Sequence, residues 1–421
     1  MNGITIDFEL NAENQIKLAK TFKSFQWKYL TVYTLVMGTD WLQGPYLYKL
    51  YQSYGLGLTS ISMLFLTGFI SSAIAGTAIG SLADVYGRKR VCIIFCFTMI
   101  ASLLLRLINA YSLLFVSHVL SGLSTALLYC VFEAWYVSEH ASRGYPAEWR
   151  ARTFALCTFL NSCAAIAAGV FANILVDVWG FKSPYVASIV LQAIVCSMIV
   201  SSWAENYGTD QMERKSLQRS LREGIYVMFQ SRNIMVLAIA QTLFECSMYI
   251  FVLLYTPAIE SVAEDSNISL GYLFSTMMFA VMAGSLVFQL CERLNRYGTR
   301  LLSITSKERL LIIALGLASC SFMMMTYYGQ YSAFLMAAAY HLFEFTTGLY
   351  YPSIASLKAE CIPEETRAVI MTLIRIPMNL GVGIIIWQIE DISTAMMFSL
   401  CSLFNELVNI MMNLPGKETI S

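Results

Sequence analysis

A chain of 421 residues that is 57% hydrophobic and only 13% charged is too apolar for a soluble domain, where roughly a quarter of residues carry charge. Its 27 basic and 27 acidic residues balance to zero, and no nucleic-acid partner is expected. Cysteines lie mostly inside apolar runs, as at Cys92, Cys96, Cys157, Cys163 and Cys320, without CxxC or zinc-ligand spacing, so no disulfide scaffold, metal site or cofactor is indicated.

Residues 1–26 carry Asp7, Glu9, Glu13, Lys17, Lys20 and Lys23. They lack the apolar centre of a signal peptide, so the first span is expected to double as the insertion signal. Apolar runs then predict twelve membrane helices, at 27–51, 60–80, 91–109, 111–138, 151–175, 183–203, 234–259, 269–291, 308–328, 331–356, 367–389 and 392–414. Each is about long enough to cross a hydrocarbon core. The predicted class is an all-α membrane protein with twelve transmembrane helices in two six-helix halves. A 1–26 segment, a half at 27–203, a linker at 204–233, a half at 234–414 and a 415–421 tail divide the chain. All Lys and Arg except Lys49, Arg106, Lys182 and Arg375 fall in the N-terminus, the even-numbered loops or the C-terminus. The positive-inside rule therefore puts both termini in the cytoplasm.

Within span 1, Gly44-Pro45 frees backbone carbonyls beside Asp40, Gln43 and Tyr46, a pattern of substrate-binding helices. Tyr51 and Tyr54 read as an outer aromatic belt. Between spans 2 and 3 comes Gly80-Ser-Leu-Ala-Asp84-Val-Tyr-Gly87-Arg88-Lys-Arg90, a glycine turn followed by three cations. Pro146-Ala-Glu148-Trp-Arg150-Ala and Pro363-Glu-Glu365-Thr-Arg367-Ala repeat a P-x-E-x-R-A element before spans 5 and 11. Their matching positions indicate an internal duplication. Asp84, Arg88, Glu139, Arg150, Glu360 and Arg367 are expected to form gating ion pairs between helix ends.

Ionisable residues inside spans are costly and functional by default. Asp40 in span 1, Glu133 in span 4, Glu245 in span 7 and Glu344 in span 10 form one set, whose alternative is hydrogen bonding between helices. Arg375 in span 11, followed by Pro377, Gly381 and Gly383, can grip a tetrahedral oxyanion through its planar fork. Pairing with Glu344 or Glu245 is the competing role. Arg106 and Lys49 read as snorkelling cations, and His118 and His341 as packing residues. From residues alone, four acids around one arginine suggest a proton-coupled carrier of a cation or neutral solute. A non-transporting scaffold would need no charges in the spans, and no catalytic motif is present.

The Gly80–Arg90 loop resembles the loop between helices 2 and 3 of the major facilitator superfamily, in which helices 1, 4, 7 and 10 line the central cavity. Several further segments are similar to the eukaryotic molybdate-anion transporters. They are Asp40-Trp-Leu-Gln-Gly-Pro-Tyr-Leu-Tyr-Lys49, Gly122-Leu-Ser-Thr-Ala-Leu-Leu, Phe132-Glu-Ala-Trp-Tyr136, Trp203-x-Glu205-Asn-Tyr207, Thr242-Leu-Phe-Glu245 and Gly348-Leu-Tyr-Tyr-Pro-Ser353. The resemblance implies a monomeric, multi-pass carrier in the cell membrane that takes up molybdate with high affinity. Many superfamily members have Arg in helix 4 where this chain has His118, and the helix-5 glycine-proline pattern is missing around 164–169. A dianion entering a negative interior costs about 4.6 kcal/mol per 100 mV, at ~2.3 per charge, so a coupling proton or sodium ion is expected.

Overall fold

A computed structural model describes residues 2–76, 79–207, 217–263, 268–296, 306–389 and 391–413. The described residues form fifteen α-helices and a short 3₁₀ turn, with no strand among them. Span 1 is α1 (Asn2–Gln43) and α2 (Leu47–Ser53); span 2 is α3 (Leu58–Gly76) and α4 (Ile79–Tyr86). Spans 3 to 6 are α5 (Arg88–Arg106), α6 (Tyr111–Ser142), α7 (Ala147–Trp179) and α8 (Ser183–Ser202), and α9 (Leu217–Gln230) lies in the linker. Spans 7 to 12 are α10 (Arg232–Glu260), α11 (Leu270–Arg296), α12 (Lys307–Tyr327), α13 (Ala333–Cys361), α14 (Glu364–Trp387) and α15 (Thr394–Asn413). The fold is a twelve-span helical membrane protein in two six-helix halves. Eight of the described helices are long and apolar enough to cross a membrane. Spans 1, 3, 10 and 11 lie outside that set, and they carry Asp40, Arg106, Glu344 and Arg375.

Span 1 breaks where the sequence predicts, since no helix covers Gly44–Tyr46. Its first helix extends back through the polar 1–26 segment to Asn2. Aromatic contacts hold the turns just before span 1. Phe22 packs 4.7 Å from Trp149, and Phe25 stacks 5.2 Å from Tyr136 with the Arg143 guanidinium 4.8 Å above its ring. Both copies of the P-x-E-x-R-A element stand at helix starts, Pro146 capping α7 and Pro363 preceding α14.

Three segments converge at the end of the bundle that carries the Asp84–Arg90 turn, here the basic end. Gly87 turns the chain with φ +98°, a conformation that glycine adopts without strain. The Glu205 carboxylate then accepts from the backbone N–H of Lys89 at 2.8 Å and Arg90 at 3.2 Å, capping the exposed donors of α5. Trp203 stacks on Trp135 at 3.7 Å, and Trp135 Nε1 donates to Ala204 O at 2.8 Å. The Trp-x-Glu-Asn element thereby locks the turn to span 4.

Between the halves, spans 5 and 8 approach backbone to backbone despite the missing glycine-proline pattern. A methyl group on Gly169 would lie 2.6 Å from Gly271 O, and one on Gly271 would lie 2.4 Å from Gly169 O. Ser275 Oγ donates across the same contact to Ile166 O at 2.6 Å. Small residues let membrane helices pack at this distance. Gly169→Leu is expected to overpack the contact and cost about 1–3 kcal/mol, read as a lower unfolding temperature in detergent; an unchanged temperature would show that the contact yields freely.

Candidate functional site

A cavity of about 460 Å³ lies between the halves, within the size range of small-molecule sites. The first half contributes Tyr48, Arg106, His118, Ser121 and Tyr129 to its lining, and the second Gln241, Glu245, Tyr249 and Arg375.

Arg106 corrects its sequence reading most sharply. It does not snorkel; it is 3% exposed and faces the cavity. Its Nη1 donates to Gln43 Oε1 at 2.6 Å, Nη2 to Ser121 Oγ at 2.8 Å and Nε to Ser117 Oγ at 3.3 Å. Ser117 and Ser121 are one helical turn apart on span 4, so both hydroxyls face the same way. Gln43 is the last residue before the break in span 1, and its Nε2 donates to Thr39 O at 3.0 Å. The guanidinium is held in a cradle of neutral acceptors.

Beside it, the His118 ring lines the cavity, and its Nε2 shares a 2.8 Å hydrogen bond with Tyr51 OH. Tyr51 is fully buried, and Tyr54 OH donates to Arg106 O at 2.8 Å. Tyr51 is therefore not a belt residue, because its phenol turns inward to His118, whereas Tyr54 stays half-buried at the end of α5. Spans 2 and 4 approach closely here, since a methyl on Gly122 would lie 2.3 Å from Gly68 O.

Across the cavity, Arg375 has no carboxylate of the described residues within ion-pair distance. Glu245 feels it electrostatically but hydrogen-bonds elsewhere, accepting from Gln241 Nε2 at 3.0 Å. Gln241 Oε1 accepts in turn from Lys358 Nζ at 2.9 Å. The sequence reading left Lys358 in a loop; span 10 continues to Cys361 and buries it.

The remaining expected substrate residues are dispersed. Asp40 is half-buried outside the lining, within electrostatic reach of Arg106. Glu344 is buried in span 10 and Glu133 is exposed on span 4, and neither lines the cavity. Tyr46 is buried between spans 1, 5 and 8, donating to Asn173 Oδ1 at 2.6 Å and accepting from Gly271 N at 3.4 Å. His341 Nδ1 lies 2.7 Å from Ala337 O, within its own helix. The expected ring of four acids around one arginine is thus replaced by a lining of two arginines and one glutamate.

Four of the six expected gating residues, Asp84, Arg88, Glu139 and Glu360, pair within their own halves. Arg88 binds Asp84 through Nη2 at 2.8 Å and Nε at 3.0 Å, and Glu139 pairs with Arg143 at 2.7 Å. The i,i+4 spacing puts Arg143, rather than Arg150, beside Glu139. Glu360 pairs with Lys307 of span 9. Arg150 has no ion-pair partner among the described residues, and the Arg367 side chain lies outside them. Among the described residues, the ion pair that joins the halves is at the opposite end, between Lys49 of α2 and Glu260 of α10. There Tyr255 OH also donates to Pro45 O at 3.5 Å.

Two helical halves enclosing a polar, cation-bearing cavity are the architecture of a multi-pass membrane carrier. Residues 4–323 match a family described as sugar transporters with twelve transmembrane segments. The chain is 34% identical over 392 residues to a molybdate-anion transporter of Xenopus tropicalis, covering 91% of this chain and 83% of the relative. It is 32% identical over 395 residues to one from Takifugu rubripes, covering 87% and 80%. Among solved structures, the nucleoside transporter NupG superposes with a TM-score of 0.71 at 13% identity, covering 92% of this chain and 97% of that one. The POT family transporter PepTSo gives 0.70 at 10% identity over 92% and 97%. The chain belongs to the major facilitator superfamily, in its molybdate-anion transporter branch.

Gln43→Leu removes the strongest acceptor of a buried guanidinium and is expected to cost about 1–3 kcal/mol of stability. Thermal unfolding of the purified variant measures it, and a wild-type midpoint would mean that water replaces Gln43 at Arg106.

Proposed function

We propose that this protein takes up molybdate, a tetrahedral oxyanion, across the cell membrane by alternating access, with a proton or sodium ion carried along. The observation behind the reading is the charge of the cavity lining, where Arg106 and Arg375 outnumber Glu245. Arg106 supplies a fixed guanidinium and Arg375 an uncommitted one, each with a planar donor fork matched to oxyanion geometry. The relatives named as molybdate-anion transporters support the substrate.

In this proposal the two halves, 27–203 and 234–414, rock about the cavity while the 204–233 linker joins them on the cytoplasmic side, where both termini lie. The conformation described is closed on the outer side, as the Lys49–Glu260 pair and the Tyr255–Pro45 contact suggest. When the inner side closes, Asp84, Arg88, Glu139 and Glu360 exchange local partners for partners on the other half, and Arg150 and Arg367 join the same network. Asp84→Ala should then slow turnover with little change in affinity. Unchanged turnover would remove the gate assignment.

The direct test is uptake into cells or proteoliposomes, comparing molybdate with sulfate and unrelated solutes while pH and sodium are varied. Molybdate accumulation should exceed that of the other solutes; equal uptake of all anions would overturn the substrate. Arg106→Lys and Arg375→Lys keep charge but lose the fork, so each should weaken binding by about 1–3 kcal/mol. Parental affinity in both would make these cations structural.

Coupling is proposed to run through Asp40, Glu245 or Glu344, since a membrane-embedded carboxylate can take up a proton with the anion. Asp40→Asn, Glu245→Gln and Glu344→Gln should identify the coupling acid by loss of pH-driven accumulation with intact counterflow. Full accumulation in all three would transfer coupling to sodium or the membrane potential.

A further inference from the structure

The central cavity is not the only space that reaches Arg375. A second groove of about 450 Å³ runs between spans 2 and 11 on the outside of the bundle. Ala73, Arg375 and Asn379 line both spaces, so the two meet at the arginine. Outward from it, the groove is walled by Ile70, Ile74, Ile376 and Leu380, which are 40%, 67%, 52% and 63% exposed. The guanidinium lies close over Gly76, where a methyl would meet Arg375 Nη1 at an ordinary 3.4 Å contact.

We propose that this groove binds an anionic phospholipid of the surrounding bilayer, with its phosphate on Arg375 and an acyl chain along the four aliphatic side chains. Charge complementarity selects the occupant. The groove ends on a cation that no carboxylate of the described residues pairs, while its walls are apolar and continuous with the lipid-facing surface. A guanidinium facing hydrocarbon is costly until an anion compensates it, and a phosphate accepts its paired N–H donors as a carboxylate would. A lipid phosphate is itself a tetrahedral oxyanion. Given the transport reading above, lipid and substrate then compete for one cation, and release of the lipid readies Arg375 for the substrate.

Native mass spectrometry of purified protein in detergent tests this without any substrate, using dioleoyl phosphatidic acid against dioleoyl phosphatidylcholine. The parent protein should retain phosphatidic acid preferentially. Arg375→Gln, which removes the cation, and Leu380→Trp, which fills the groove and keeps the cation, should each lower that retention about tenfold. Leu403→Trp, on the exposed face of span 12, should leave it unchanged. Equal retention of the two lipids, or parental retention in Leu380→Trp, would overturn the site. Loss in Arg375→Gln alone would also overturn it, placing the headgroup in the central cavity instead. Because the readout is lipid retention, either failure leaves the anion-transport reading standing.

Discussion

Placing a permanently charged guanidinium inside a hydrocarbon layer is the constraint on which this structure turns. Burying a charge is costly unless its neighbours compensate it, and a carboxylate partner would do so at the expense of the charge. The chain offsets it for Arg106 with neutral acceptors, Gln43, Ser117 and Ser121. Several features without obvious purpose follow from that choice. The break at Gly44–Tyr46 ends α1 at Gln43, and spans 2 and 4 close tightly at Gly68 and Gly122. That closeness lets His118 reach Tyr51, filling the wall beside the guanidinium.

Arg375 meets the same constraint differently. It lies opposite, on the other half, with neither a neutral cradle nor an ion pair among the described residues. Glu245, the nearby carboxylate of the lining, is engaged by Gln241, which Lys358 engages in turn. The second half therefore holds its acid in a polar chain and leaves its arginine free. One cation is held in place and the other uncommitted, on opposite sides of the same cavity.

Contacts within a half and contacts between halves differ in kind. The first half is locked at its basic end by the Trp135–Trp203 stack, the Glu205 cap and the Asp84–Arg88 pair. Between the halves, the contacts include single hydrogen bonds, the half-buried Lys49–Glu260 pair, the Trp41–Phe274 and Phe69–Tyr249 ring contacts and the glycine contact of spans 5 and 8.

The amino-acid sequence alone determined the class, the twelve spans, the break in span 1 and the helix starts at Pro146 and Pro363. These depend on apolar run length, proline chemistry and loop charge, all of which are local. It also marked Arg375 and Glu245 as cavity residues. Only the tertiary structure decided which way the other polar side chains point. Hydropathy reports how deep a residue lies along a span and says nothing about its rotation around the helix axis. Arg106 near the end of span 3 therefore reads as snorkelling, and Tyr51 as a belt residue, although both turn inward. Asp40, Glu133 and Glu344 read as one ring, although their side chains leave the cavity to the arginines. Lys358 was missed because a lysine near a helix end looks like a loop cation until span 10 is seen to continue past it. A signal for Arg106 was present in the polar face Ser117-x3-Ser121 of the next helix, which is more hydroxyl than a lipid-facing turn requires. Reading it needed the packing of spans 3 and 4, because the energy of a buried charge is fixed by its neighbours in space rather than in sequence.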